Sequence, residues 1–306
     1  MKKKTKMRMT MADRIFMGFT YLFLIFVFLI TLYPMIFVLS ASFSDPKLVA
    51  AGKLFLWPVG ITLGGYEHLM QLKELWVGYA NTFFYTVVGT TLNLLFTIPT
   101  AYALSRKDMK GRGFIMGIFV FTMYFSGGLI PGYLNVRSFH LLDTRTVLLI
   151  LGLVSAYNLI VARTFFANTI PWELHEATFL DGASDLGILS KVVLPLSKPI
   201  LAVMMLYYGV GHWNNYFGAM IYVRDRSKFP LQLILREVLI EAQGLTAMIA
   251  DGGWDPESVK VLLQQQEAAN QLKYAVIVVA TVPMLILYPF LEKYFAKGVM
   301  IGSVKG

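Results

Sequence analysis

The chain contains no cysteine, only four histidines and little charge: 15% of its 306 residues are Asp, Glu, Lys or Arg, against 57% hydrophobic. Without cysteine there can be no disulfide framework, thiol nucleophile or thiolate metal site. So little charge on so apolar a chain, with a mean hydropathy of +0.61, excludes an ordinary soluble protein and indicates an integral membrane protein. Two catalytic patterns are missing as well. A metalloprotease helix needs H-E-x-x-H, but His175-Glu176 is followed by Phe179 where the second histidine belongs. A nucleotide-binding loop needs G-x-x-x-x-G-K-[ST], but Gly52-Lys53 is followed by Leu54, and Lys47 stands where the first glycine belongs. His68, His140 and His212 are scattered as surface or packing residues are, so no metal site is expected.

What is present is a series of apolar runs. The net charge of +9 could suggest nucleic acid, but its placement suggests cytoplasmic ends of membrane spans. Lys2, Lys3, Lys4, Lys6, Arg8 and Arg14 precede an apolar run over residues 15–39, too long for a signal-peptide core of roughly 7–15 residues. Further spans are expected over 80–104, 113–130, 146–166, 200–222 and 274–291, each near the ~20 residues that cross about 30 Å of hydrocarbon. An interfacial helix is expected over 66–76, and 131–145 reads as a short external link. Basic residues after the second span, Arg106, Lys107, Lys110 and Arg112, lie on the same side as the N-terminus. The chain thus divides into a basic cytoplasmic N-terminus (1–14), a transmembrane domain (15–295) and a cytoplasmic tail (296–306). Within the domain, 167–199 is a cytoplasmic loop and 223–273 a long external segment of mixed charge.

The loop carries the most specific pattern. Pro171 can open a short helix, with Glu173 and Glu176 in or near its first turn. Asp181-Gly182 offers a turn, and Ser184 can cap a second helix that Pro195 and Pro199 limit. Glu176, Ala177, Gly182, Leu194 and Pro195 stand at the spacing E-A-A, three residues, G, nine residues, I-x-L-P, with Val192 at the isoleucine place and Thr178 at the second alanine. On these residues the chain resembles the permease subunits of binding-protein-dependent ABC importers. The runs 141–144, 212–217 and 230–232 and the ending Lys297–Gly306 resemble the carbohydrate-uptake branch, most of all the permeases for oligosaccharides from degraded polysaccharide.

The resemblance implies an all-α membrane protein of type I importer permease architecture, with six transmembrane helices and short cytoplasmic coupling helices. It also implies a bacterial inner-membrane location with both termini cytoplasmic, and no catalysis by this chain. The implied partners are a second permease subunit forming a heterodimer, two ATP-binding cassette subunits holding ATP and magnesium, an extracytoplasmic solute-binding protein, an oligosaccharide and the lipid bilayer, with no nucleic acid. ATPase coupling is expected of Glu176, Ala177, Asp181, Gly182, Leu194 and Pro195, and a tail interface of Gly298, Gly302 and Lys305. A substrate pathway is expected at Trp213, Asn214, Asn215 and Tyr216, where amides and aromatic rings suit sugar hydroxyls and C–H faces. Helical spacing would put Tyr208, Gly209, His212, Trp213 and Tyr216 on one face. An ion-coupled secondary transporter is the alternative; it usually needs charges inside the spans, which hold almost none here.

Overall fold

The structure is a computed structural model, and it describes residues 10–251 and 255–302. In chain order the α-helices are α1 (Met11–Ser42), α2 (Pro46–Ala50), α3 (Gly64–Gln71), α4 (Lys73–Ser105), α5 (Arg112–Tyr124), α6 (Leu129–Ser138), α7 (Arg145–Ile150) and α8 (Ala156–Thr169). They continue with α9 (Trp172–Leu180), α10 (Asp185–Ile188), α11 (Leu194–Leu196), α12 (Lys198–Trp213), α13 (Phe217–Tyr222), α14 (Leu231–Asp251) and α15 (Pro256–Gly302). The chain divides into two compact units, 1–71 with 238–279, and 72–237 with 280–306.

In the first unit, Thr10 opens α1 with a capping box. Its hydroxyl accepts from the Asp13 amide at 3.2 Å, and the Asp13 carboxylate accepts from the Thr10 amide at 2.9 Å. From Ile15 to Ile30 the apolar side chains of α1, apart from the half-buried Met17, are exposed, as on a helix that faces lipid. Its end is different. Ser40, Ala41 and Ser42 are buried; Ser40 Oγ donates to Leu56 O at 2.5 Å, and the Tyr66 hydroxyl donates to Ser42 Oγ at 2.7 Å. Phe43 stacks on Tyr66 at 5.1 Å, so the small residues that follow the first span tie α1 to α3.

The second unit is built on α4, which at ~1.5 Å per residue is long enough to cross a bilayer and project beyond it. Helices α8 and α12 pack along it, and α8 buries Leu159, Ala162 and Phe166 at helical spacing. Close approach of α12 depends on Gly89, where an added Cβ would lie 2.5 Å from the His212 ring.

Helix length does not reproduce six uninterrupted spans. Among the described residues three helices (Met11–Ser42, Lys73–Ser105 and Pro256–Ile286) are long and apolar enough to cross a membrane, and counting each bent pair as one span raises the number to five. The third expected span stops at Tyr124, and the chain turns by 117° into α6, which replaces the expected external link. The cause is local: Ser126 Oγ accepts from the Gly128 amide at 3.2 Å, and Gly128 takes φ +86°. The fourth expected span breaks after Ile150 and restarts at Ala156, with Ser155 as N-cap. The fifth breaks at 214–216, so Tyr216 lies beyond the end of α12 and the expected common face does not extend to it. The expected interfacial helix is instead α3 followed by the start of α4. The segment 223–273 is largely helical, in α14 and the first turns of α15.

A break inside a membrane frees backbone groups that water cannot satisfy. Asn93 on α4 fills that role: its amide donates to Gly152 O at 3.2 Å and to Leu153 O at 2.8 Å, while its carbonyl oxygen accepts from His212 Nε2 at 2.7 Å. One turn on, the Tyr208 hydroxyl accepts from the Ser155 amide at 3.1 Å and shares a 2.7 Å hydrogen bond with Thr97 Oγ1. Asn93→Leu should therefore lower stability by about 2 kcal/mol, from three lost bonds at roughly 0.6 kcal/mol or more each. Thr91→Val, whose hydroxyl bonds only Val87 O of its own helix, should change it far less. Thermal unfolding in detergent checks both, and equal melting temperatures for the two variants would contradict the assignment.

Candidate functional site

The 167–199 loop folds as two helical pieces around one tight turn. α8 ends at Thr169, and Pro171 stands as N-cap of α9. Asp181 closes α9, and Gly182 then takes φ +76°, a left-handed conformation that a side chain would strain. Ser184 caps the next helix, its hydroxyl accepting from the Gly187 amide at 3.2 Å. That helix continues past Pro195, one of its two expected limits, and runs to Leu196. It passes Pro195 by widening to a π-helical turn over Leu189–Val193, which relieves the clash of the proline ring with the preceding turn. The chain then bends by 86° into α12.

The inner face of this element belongs to the core of the second unit. Ile170, Ile188, Leu189 and Val193 are buried in one cluster with Tyr102, Leu104 and Phe166. His175 is buried on α9, with its ring 5.6 Å from Tyr102 and Nδ1 3.2 Å from the Tyr102 hydroxyl. Burial, and then the nearby Arg106 charge, push its pKa below the ordinary histidine value, so the neutral ring is favoured. The outer face is the reverse. Glu176, Ala177, Asp181, Gly182 and Pro195 are exposed, and Leu194 is half-buried. Glu176 accepts from the Trp172 indole N–H at 2.7 Å, one turn back on the same helix. Around them Phe179, Leu180 and Leu186 are 72%, 86% and 76% exposed.

Arg106 fastens the element from the side. It is the C-cap of α4, and its guanidinium bonds Asp108 at 2.9 and 2.5 Å and also Asp185 at the start of α10. Its hydrogen bond to Asp108, and then that to Asp185, hold its pKa above the ordinary arginine value, and the same bond holds the Asp108 carboxyl below the usual carboxylate range. Arg112 donates to Arg106 O at 2.8 Å, and Arg163 to Leu104 O at 3.2 Å. Sequence reasoning read residues 105–112 only as a basic turn. The signals missed were Asp108 within that turn and Asp185 beside the Ser184 cap.

The expected pathway residues sit at the break after α12. Trp213 is buried, its indole N–H donating to Ala280 O at 3.2 Å. Asn214 and Tyr216 are exposed, and Asn215 accepts from the Gly218 amide at 3.2 Å, starting α13. Gly298 and Gly302 lie in the last turns of α15, and Lys305 lies outside the described residues. Among the described residues no cluster of metal-ligating side chains occurs.

No family model matches the chain. Protein LplC of Bacillus subtilis (strain 168) is 40% identical over 301 residues, 98% of each chain. The polygalacturonan/rhamnogalacturonan transport system permease protein YtcP of the same organism is 40% identical over 299 residues, 97% of this chain and 100% of that one. A crystal structure of a bacterial ABC transporter involved in the import of the acidic polysaccharide alginate contains a chain 38% identical to this one; the match covers 95% of this chain and all of that one, with a TM-score of 0.82. Full-length similarity of this degree, on a chain with a helix–turn–helix loop at the E-A-A…G spacing, identifies a member of the carbohydrate ABC-importer permease family.

Proposed function

We propose that the chain is one of two membrane subunits of an ATP-driven, binding-protein-dependent importer, and that its cargo is an acidic oligosaccharide. The naming of polygalacturonan/rhamnogalacturonan and alginate for relatives supports that cargo. In this reading α1, α4, α5 with its continuation, α7 with α8, α12 with α13, and α15 form six spans, both termini are cytoplasmic, and the chain itself catalyses nothing. ATP and magnesium are held by two cassette subunits, and a soluble binding protein delivers the saccharide from outside.

The observation that carries the proposal is the outer face of the coupling loop. Three large apolar side chains, Phe179, Leu180 and Leu186, stand exposed around an exposed small and acidic edge, on an element whose other face is packed into the core. Such a patch on the water side of a membrane subunit calls for a protein to cover it. We assign that role to the cassette subunit, with Glu176, Ala177, Asp181 and Gly182 at the contact and Leu194 and Pro195 carrying its movement into α12. The saccharide pathway then runs past Asn214 and Tyr216, backed by Trp213 and Asn215. The tail with Gly298, Gly302 and Lys305 adds a second cytoplasmic contact.

Gly182→Val should strain the turn by about 1–2 kcal/mol, and Glu176→Lys should reverse an exposed charge; each should lower saccharide-stimulated ATP hydrolysis roughly tenfold. Stimulation at the wild-type level in both, on intact complexes, would remove this face from coupling. Arg106→Gln should loosen the loop by about 1 kcal/mol, a modest figure because Asp185 is largely exposed. Amide exchange over residues 185–189 should quicken, and Arg106→Lys should rescue it only in part, because an ammonium cannot reproduce the fork. Unchanged exchange in Arg106→Gln would show that the buried apolar face alone holds the loop. Deleting residues 302–306 should weaken retention of the cassette subunits on purification; full retention would make the tail dispensable.

A further inference from the structure

Helix α14 begins in the second unit with Leu231, Leu233, Ile234 and Leu235 buried, and Arg236 follows directly. Its guanidinium carbon lies 5.5 Å from the centroid of the Tyr216 ring, and one of its nitrogens lies 3.1 Å from the Met220 sulfur. Tyr216 is 41% exposed at the break after α12, and Met220 is on α13. Two other cations nearby in sequence have carboxylate partners: Arg226 pairs with Glu74 and Glu237, and Lys228 with Asp143 and Asp225. Among the described residues Arg236 pairs with no carboxylate. A thioether is a weak acceptor, whereas a guanidinium offers five donors in a flat fork shaped for a carboxylate. Stacking on an aromatic ring fixes the plane of that fork and leaves its edge available.

We propose that Arg236, Tyr216 and Met220 form a subsite for the carboxylate of a uronic acid unit passing along the pathway. The subsite rests on the importer reading above and adds the group on this chain that reads substrate charge. The sugar carboxylate takes the edge of the guanidinium in a bidentate pair, and the apolar C–H face of the same pyranose lies against the Tyr216 ring. Met220, unbranched and adaptable, tolerates different linkages beside it. A lipid phosphate offers similar charge to the same guanidinium, so the test separates the two sources.

The assembled transporter, reconstituted in phosphatidylcholine vesicles with or without phosphatidylglycerol, is supplied with binding protein preloaded with tri-galacturonate or with its uncharged methyl ester. In Arg236→Gln the ratio of acidic to esterified uptake should fall about tenfold, and in Arg236→Lys about threefold, because the charge remains and the fork is lost. Tyr216→Ala should lower uptake of both probes. In the wild type, added salt should slow uptake of the acid more than that of the ester. A ratio within about twofold of wild type in Arg236→Gln, together with equal salt dependence of the two probes, would overturn the subsite. A loss of ratio seen only with phosphatidylglycerol present would assign Arg236 to lipid and overturn it too. Failure of an intact, ATP-hydrolysing wild-type complex to take up either probe would instead strike at the acidic-saccharide reading itself.

Discussion

Every backbone group freed where a helix breaks inside hydrocarbon must find a protein partner, and the second unit is organised around that requirement. Helix α4 supplies most of the answer from one side of its surface. Asn81 donates to Ser227 O and Phe229 O, Thr82 accepts from the Leu231 amide, and Tyr85 donates to Lys228 O. Asn93 then takes the carbonyls at the break in the fourth expected span, and Thr97 supports Tyr208 beside it. Asn81, Tyr85, Asn93 and Thr97 stand four or eight positions apart, with Thr82 beside Asn81, so one side of a long helix satisfies the irregular chain packed against it. The stripe explains how a membrane subunit can contain so many broken helices and remain ordered.

At its C-terminal end the same helix sets the position of the 167–199 loop. Tyr102 and Leu104 provide the wall against which His175, Ile188 and Val193 bury, and Arg106 then reaches both Asp108 and Asp185. Apolar burial fixes which face of the loop is inward; the ion pairs fix where α10 begins. The order of importance follows from exposure, because Asp185 is mostly in solvent and its pair with Arg106 is screened, while the buried residues lose water altogether.

The sequence was most legible where chemistry is local. The turn at Gly182, the Ser184 cap and the long first helix all follow from residues within a few positions of each other, and each is present. The breaks were less legible because hydropathy averages over about twenty residues: Gly127-Gly128, Gly152 and Asn214–Tyr216 sit in apolar surroundings that hide a change of direction. Partnerships across the fold were not legible at all. Asn93 is 119 residues from His212, and Arg106 is 79 from Asp185, and no spacing rule joins residues so far apart. The aromatic face expected through Tyr216 failed for a related reason. It assumed that one helix passes through Asn214-Asn215, whereas the Asn215 side chain bonds the Gly218 amide and starts a new helix.

The two candidate sites on this chain are joined by α12. At 16 residues and ~1.5 Å per residue it spans roughly 24 Å from the bend after Leu196 to the break at Asn214. Pro199 lies in its first turn, where the missing amide costs nothing, so the helix is uninterrupted between its two ends. Its packing is close along that length: Ile200 and Met204 are buried near the 167–199 loop, Tyr208 bonds Thr97 midway, and His212 fills the space over Gly89 near the far end. A side chain that fits against glycine cannot slide by a fraction of a turn without collision, because packed interfaces are bistable and not continuously deformable. In the proposed importer, movement imposed on the loop would reach Tyr216 either by carrying α12 and α4 together or by shifting α12 one whole step. The contact of His212 with Gly89 and its bond to Asn93 favour the first, because both would be lost in the second.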